Sequence, residues 1–298
     1  MHNLAIIIPF YKITFFEQIL NSLALQTDKR FTVYIGDDGS HCDCSKVISD
    51  YNKNISIKYH RFENNLGKQS LVKHWLRCYE MIDKEEWILF LGDDDVLGDN
   101  CVEEFYKNLP EIDANDVNII RFSSILIDAE DKPISHQYKF PITERTTSAY
   151  INKAKRRSRA SLSEHVLRRA AFKKVGFVDL PEAWHTDDLL ILEISDYGII
   201  YTLNNSIARI RYSNISVSGN PSNGKRKMRA TRMFLRYLIG CKMLHFSKNE
   251  RYFIVWYYFK RLKHSGSLSR IVLFDIFALF VKNGLNIRPF ITNPIKLK

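Results

Sequence analysis

Apolar runs of strand length alternate with amphipathic stretches of helical period through the first two hundred residues. Leu4 to Ile8 is an unbroken apolar run closed by Pro9, the composition of a buried strand. Thr14 is then placed to cap a helix reaching about Gln26, with Phe16, Ile19, Leu20 and Leu23 on one face. Phe31 to Ile35 reads as a second strand and Ile55 to Phe62 as a third; Gln69 to Met81 carries a helical pattern, and Trp87 to Leu91 is again a buried strand. This alternation builds βαβ units and a parallel sheet. Farther on, Val117 to Phe122 reads as a strand that Ile125 to Asp128 continues, and a short helix after Ser161–His165 ends at Gly176. Another helix, Leu189 to Ile194, opens behind Asp187 and Asp188, and strands follow at Ile199–Leu203 and Ala208–Tyr212.

The polar residues between these runs carry the chemistry. The second strand feeds Gly36-Asp37-Asp38-Gly39-Ser40, and the third feeds a turn ending Asn65-Leu66-Gly67-Lys68. The fourth runs directly into Gly92-Asp93-Asp94-Asp95. In open α/β sheets ligands gather beyond the carboxyl ends of the strands, so Tyr11, Asp38, Gly67 and Asp95 should converge on one nucleotide crevice. Three adjacent carboxylates at the mouth of a buried strand repel one another unless a cation sits among them. Mg²⁺ or Mn²⁺ held by one or two carboxylates usually completes its shell with phosphate oxygens. A solvated acidic turn is the plainer reading of the same three residues.

Composition narrows the setting. With 298 residues, 45% of them hydrophobic, the chain can bury one large α/β domain or a domain with an appendage. Five cysteines form no disulfide framework, and Cys42 and Cys44 lack a second pair at zinc-site spacing. The apolar run at the start is too short for a secretory leader, and nothing approaches the roughly 18 apolar residues of a membrane span. A cytoplasmic protein is expected. Charge divides the chain: residues 224–298 hold 17 Lys and Arg against 2 acidic residues, a net +15, leaving −4 for residues 1–223 of the total +11. The expected division is therefore residues 1–223, with a nucleotide half to about 98 and an acceptor half from about 99, followed by a basic, aromatic, helical region over 224–298.

Taken in order over about residues 4–219, the Pro9-Phe10-Tyr11 strand end, the Asp37-Asp38-Gly39-Ser40 turn, Asn65-Leu66-Gly67, Asp93-Asp94-Asp95 and Asp187-Asp188 resemble the motifs of inverting family 2 glycosyltransferases. The resemblance implies the GT-A fold, a Rossmann-like and mostly parallel sheet flanked by helices, here with a helical basic extension. It implies that Pro9, Phe10, Tyr11, Asp37, Asp38, Gly67, Lys68, Asp93 and Asp94 line the nucleotide site, with Asp38 meeting the base of a UDP-sugar. Because Gly92 stands where many members carry the first Asp of an Asp-x-Asp pair, Asp93 and Asp95 would supply the metal-ligand spacing for Mg²⁺ or Mn²⁺, with Asp95 the first choice. Asp187-Asp188 stands where members place Glu-Asp, so Asp188, with Asp187 next, would take the proton of the acceptor hydroxyl. A histidine that members carry near Tyr212 or Ser213 is missing.

Other positions stay open. Arg121 is a phosphate or sugar contact, or a strand-end charge reaching solvent. Trp184 offers an aromatic face to an acceptor sugar or packs in the core, and His185 contacts phosphate or metal or is an ordinary loop histidine. Arg211 could neutralise phosphate. Lys153 to Arg159 reads as a solvated loop, with an acceptor flap as the alternative. In the C-terminal region Lys225, Arg229, Arg232 and Arg236 share one helical face, while Arg251–Lys263 and Ile271–Val281 are apolar and aromatic. These stretches either pack on the catalytic domain or lie on the anionic inner leaflet as a peripheral contact, which would suit a lipid-linked glycan acceptor. The reading is thus a metal-dependent transferase moving a sugar from a nucleotide diphosphate to a hydroxyl of a glycan in surface-polysaccharide assembly. No Gln-x-x-Arg-Trp segment of the processive synthases occurs. A sugar-phosphate nucleotidyltransferase would carry a Gly-rich basic loop after the first strand, where Pro9-Phe10-Tyr11-Lys12 stands. A nucleic-acid-binding tail would leave the carboxylate-ended strands unexplained.

Overall fold

The structure, a computed structural model, describes residues 4–213, 216, 219, 223–265 and 278–285. Four parallel strands form one half of a nine-stranded sheet. They are β1 (Leu4–Phe10), β2 (Phe31–Asp37), β3 (Ser56–Arg61) and β4 (Trp87–Phe90), in the order β3-β2-β1-β4. Their connections are α1 (Phe16–Ala24), α2 (Ser45–Tyr51) and α3 (Leu71–Tyr79). Ile6, Ile7, Val33, Tyr34, Ile88 and Leu89 are fully buried, as central parallel strands covered on both faces require. Phe10 lies opposite Asp37, so β1 and β2 end level and release their loops on the same edge.

Beyond β4 the sheet turns mixed. Strands β5 (Val96–Leu97), β6 (Ile119–Ile127), β7 (Thr143–Arg145), β8 (His165–Arg168) and β9 (Ile199–Arg211) complete it, with β8 antiparallel to both β4 and β6, and β9 parallel to β6. Helices α4 (Cys101–Ala114), α5 (Thr146–Ala154), α6 (Arg169–Val175) and α7 (Thr186–Ile194) intervene, followed by α8 (Gly224–Tyr237) and α9 (Lys248–His264).

Several expected elements change in detail. Thr14 does not cap α1: Phe15 takes the cap position, and burial of Phe15 and Phe16 accompanies a helix start one residue onward. The strand expected at 117–122, with its continuation over 125–128, is the single strand β6, and the two strands expected at 199–203 and 208–212 are the single strand β9. Between Phe122/Leu203 and Ser123/Ile207 the β6–β9 register shifts, and the extra residues Asn204–Ser206 bulge out. The polar tripeptide breaks the hydrophobic pattern without ending the strand.

The aromatic stretch Arg251–Lys263 lies in α9, which a reciprocal Ser247–Glu250 capping box opens. Its Tyr252, Phe253, Val255 and Tyr258 join Phe234 and Leu238 and, from the region before residue 224, Tyr150, Ile151, Leu189 and Leu192 in one hydrophobic cluster. These helices therefore pack on α5 and α7. The stretch Ile271–Val281 falls outside the described residues up to position 277. Among the described residues no helix is long and apolar enough to cross a membrane.

Candidate active site

The carboxyl ends of β1, β2 and β4 open into a cavity of about 820 Å³, and α7 enters it from the other side. Pro9, Tyr11, Asp38, Gly67, Lys68, all three residues Asp93 to Asp95, Trp184, His185, Asp187, Asp188 and Arg211 line it. Phe10, Asp37 and Arg121 do not.

Each of these three has a local reason. Phe10 points into the core against Phe16, with ring centroids 4.4 Å apart. Asp37 closes its own turn, accepting from the Ser40 amide at 2.7 Å and the Tyr59 hydroxyl at 2.7 Å. Arg121 is only 2% exposed; it donates to Glu144 at 3.0 Å and Thr202 at 3.1 Å and lies over Phe140. It neither reaches a ligand nor snorkels to solvent, because the Glu144 carboxylate on β7 meets it inside the sheet.

On the nucleotide side, Asp38 ties two loops together. Its two oxygens accept the amides of Leu66 and Gly67, both at 2.8 Å, and Arg77 donates to it as well. A β-carbon on Gly67 would sit 2.5 Å from Asp38 Oδ2, so only glycine allows this approach. The sequence separation between the two motifs thus resolves into one hydrogen-bonded unit. His74 flanks it, and burial holds its imidazole down to about 4.

The acidic turn divides its labour. Asp93 Oδ2 accepts the amides of Tyr11 and Lys12 at 3.2 and 3.0 Å, locking the end of β1 to the end of β4. Asp95 accepts the Arg211 amide at 2.8 Å and is hydrogen-bonded by Ser163. Arg211 itself is buried and fully engaged: its guanidinium donates to the Asp94 carbonyl at 2.8 Å, to Gln18 at 3.1 Å, and to Asp128 and Asp131. It braces the turn and is not presented to a phosphate.

Whether this turn suits a divalent cation can be judged at Gly92. A β-carbon there would stand 3.0 Å from Asp95 Oδ2 and 3.1 Å from Asp94 Oδ1, so these two oxygens converge on one small space. Burial and the neighbouring Asp95 and Asp93 push the Asp94 carboxyl up to about 8; burial pushes Asp95 up to about 6. Carboxylate repulsion thus bears on Asp94, whereas Asp95 answers to its burial, opposed by Ser163 and Arg211. No group of three or more His, Cys, Asp or Glu that could hold a metal exists among the described residues. Mg²⁺ commonly takes only one or two carboxylates and completes its shell with phosphate and water, so the residues present fit that mode. The converging pair is Asp94 and Asp95, since Asp93 faces the β1 amides.

On the α7 side of the cavity, Asp187 and Asp188 lie in the first turn of the helix. Lys153 Nζ lies 3.2 Å from Asp187 and 2.6 Å from Asp188, and His185 Nδ1 lies 2.7 Å from the other Asp188 oxygen. Burial raises the Asp187 carboxyl above the ordinary range. Burial also acts to raise Asp188, but Lys153 and His185 outweigh it and hold that carboxyl well below the ordinary range. Trp184 lines the cavity and also packs against the α8–α9 cluster, with Lys227 over its ring at 4.9 Å.

Lys153, Arg159 and Ser163 also line the cavity; the first two bound the stretch read as a solvated loop or an acceptor flap, and Ser163 drew no expectation. Lys153 belongs to the last turn of α5, whose buried Tyr150 and Ile151 carry the helical signal one turn earlier. Arg159 pairs with Glu164 and donates to Ser124 at 2.9 Å. The stretch 153–159 therefore has its two ends in the cavity wall and is not simply a solvated loop.

The family model for glycosyl transferase family 2 matches residues 5–176, ending ahead of Asp187. A crystal structure of S. aureus TarS, residues 1–349, is similar over 87% of this chain and 71% of that one, with 17% identity and a TM-score of 0.63. The same fragment in complex with UDP-GlcNAc aligns with a TM-score of 0.65 at 17% identity, covering 87% of this chain and 72% of that one. Its complex with UDP aligns with a TM-score of 0.63 at 17% identity, covering 90% and 73%. At such identity the likeness is one of fold. A comparison with curated proteins finds no match.

Proposed function

The chain belongs to glycosyl transferase family 2 and is a glycosyltransferase, and from that premise we propose that it moves a sugar from a UDP-sugar to a hydroxyl of a glycan or lipid-linked glycan, with inversion. One observation carries the reading: Asp38 with its Gly67 turn, the Asp93–Asp95 turn and the Asp187–Asp188 pair open into a single cavity. The UDP-GlcNAc and UDP complexes of the TarS fragment support a uridine donor.

In this scheme the Asp38–Gly67 unit, with Pro9 and Tyr11, receives the uridine, and Lys12 and Lys68 lie at the cavity wall for the diphosphate. Asp95 and Asp94 would hold Mg²⁺ or Mn²⁺, which supplies positive charge to the departing diphosphate. The acceptor hydroxyl attacks the anomeric carbon from the Asp188 side. A bond from that oxygen to the carbon forms as the bond to the diphosphate oxygen breaks, and the hydroxyl proton passes to Asp188. The hydroxyl becomes acidic only as its new bond forms, so a weak base suffices if it is ionised and fixed in place, and Lys153 and His185 provide both conditions. Trp184 supplies an aromatic face for an acceptor sugar.

A panel of UDP-glucose, UDP-galactose and UDP-GlcNAc with Mn²⁺, read by thermal shift and UDP release, tests the donor half. Stabilisation that requires the metal and is lost in Asp95→Ala is expected; stabilisation by UDP-sugars indifferent to metal overturns that part. The exposed Lys225, Arg229 and Arg236 on α8 support a peripheral contact with an anionic leaflet. Cosedimentation with phosphatidylglycerol vesicles, but not with phosphatidylcholine vesicles, is the expected result.

A further inference from the structure

His185 stands at the N-cap of α7 with a left-handed backbone, φ 67° and ψ 7°, an uncommon conformation for a residue with a side chain. The imidazole stands at the cavity wall and links α7 to α8. Nδ1 lies 2.7 Å from Asp188 Oδ2, and Nε2 lies 3.0 Å from Thr231 Oγ1. The ring stacks on Phe234 of α8, with centroids 4.8 Å apart and planes 4° from parallel.

Hydrogen-bond accounting places a proton on Nδ1 of this ring. An ionised Asp188 can only accept, so Nδ1 donates to it. The Thr231 hydroxyl lies 3.0 Å from Nε2 and 2.9 Å from the Lys227 carbonyl, and as donor or acceptor it ties the ring to α8. On the opposite carboxylate oxygen Lys153 donates at 2.6 Å. The charged or titratable groups around this ring are Asp187 and Asp188 from α7, Lys153 and Tyr150 from α5 through Asp188, and Lys227 from α8 beside Trp184.

We propose that His185, donating from Nδ1 to Asp188 and tied through Nε2 to Thr231 of α8, is a positioning residue that fixes the catalytic carboxylate, so that the basic C-terminal helix forms part of the catalytic apparatus. The kinetic side of this assignment rests on Asp188 being the base. Lys153 and His185 grip one oxygen each, which fixes the rotamer of Asp188 and leaves its remaining lone pairs for the acceptor hydroxyl. A shift of α8 would then alter catalysis without touching the nucleotide site.

Two measurements on the full chain test this. In the ¹⁵N-histidine spectrum, the signals that vanish in His185→Gln should show a protonated Nδ1 at pH 7.5, and Asp188→Asn should shift them. An Nδ1 without a proton at pH 7.5 in the unmodified protein overturns the proposal, whichever carboxylate is the base. In kinetics with the donor chosen by the UDP-sugar panel, His185→Ala and Thr231→Val should lower kcat about 10- to 100-fold, with donor KM and UDP affinity within about twofold. Thr231→Ser should restore most of the rate. Unchanged kcat in Thr231→Val, with its fold verified by melting temperature, overturns the positioning role. If Asp188→Asn keeps full activity while the unmodified protein shows the protonated Nδ1, the base assignment fails and the His185–Asp188 pairing survives.

Discussion

Single atoms decide the two ends of the cavity. At the nucleotide end, Gly67 has no β-carbon, and that absence lets its amide reach Asp38. In Gly67→Ala the new methyl must displace the carboxylate, so UDP affinity measured by calorimetry should fall about tenfold, the scale of one lost charge-assisted hydrogen bond. At the acceptor end two adjacent carboxylates differ by their partners: Asp188 is gripped on both oxygens, Asp187 on one. Asp188→Asn should lower kcat by about 10²- to 10⁴-fold with donor KM little changed, whereas Asp187→Asn should cost less. A larger loss in Asp187→Asn would exchange the two roles.

Elements matter where one strand or helix carries several of these atoms into place. The end of β9 delivers Arg211 beneath the acidic turn, and its guanidinium and amide satisfy the Asp94 carbonyl and the Asp95 carboxylate. Replacing it by methionine keeps the stem but leaves the carbonyls of Asp94 and Asp128 without that donor. At about 1–3 kcal/mol for each orphaned buried acceptor, Arg211→Met should lower the melting temperature by several degrees, and the UDP-dependent stabilisation should weaken with it. An unperturbed melting temperature would mean that the turn holds without its brace. Helix α7 plays the matching part on the other side, presenting its first turn to the cavity while Leu189 and Leu192 anchor it in the cluster shared with α8 and α9.

Across the whole molecule, charge is segregated: an acidic catalytic crevice lies in a chain whose C-terminal quarter is strongly basic. The crevice makes metal-free stability depend on pH with a definite sign. Asp94 and Asp95 titrate higher in the folded protein, near 8 and 6, than an ordinary carboxyl does unfolded, so the folded state binds more protons between about pH 4 and 8. Their contribution is full below the unfolded value and is lost as pH rises through the folded ones. The melting temperature without metal should therefore decline from pH 5 to pH 8, Asp94→Asn should flatten the decline, and Mn²⁺ with UDP should remove most of it. A profile rising over that range would contradict the convergence of these two carboxylates.

Much of this was legible one residue after another. Buried strands announce themselves as apolar runs, because a parallel strand covered on both faces has no polar side, and the second and fourth runs end in acidic turns that line the cavity. Local pattern also carried α1, α3 and α7, since 3.6-residue periodicity needs only neighbours in the chain, whereas α2, α4 and α5 were not expected. Partnership across the chain is another matter, because it depends on distances that no linear pattern encodes. Nothing near Arg121 in sequence announces Glu144, and Arg211 looks available for a phosphate until Asp128 and Asp131 are folded against it. Lys153 resembles any surface lysine until α5 and α7 bring it to two carboxylates. The identity of the residues that could act was written in the chain; which of them are free to act was settled by packing, because a side chain whose hydrogen bonds are satisfied inside the fold has none left for a substrate.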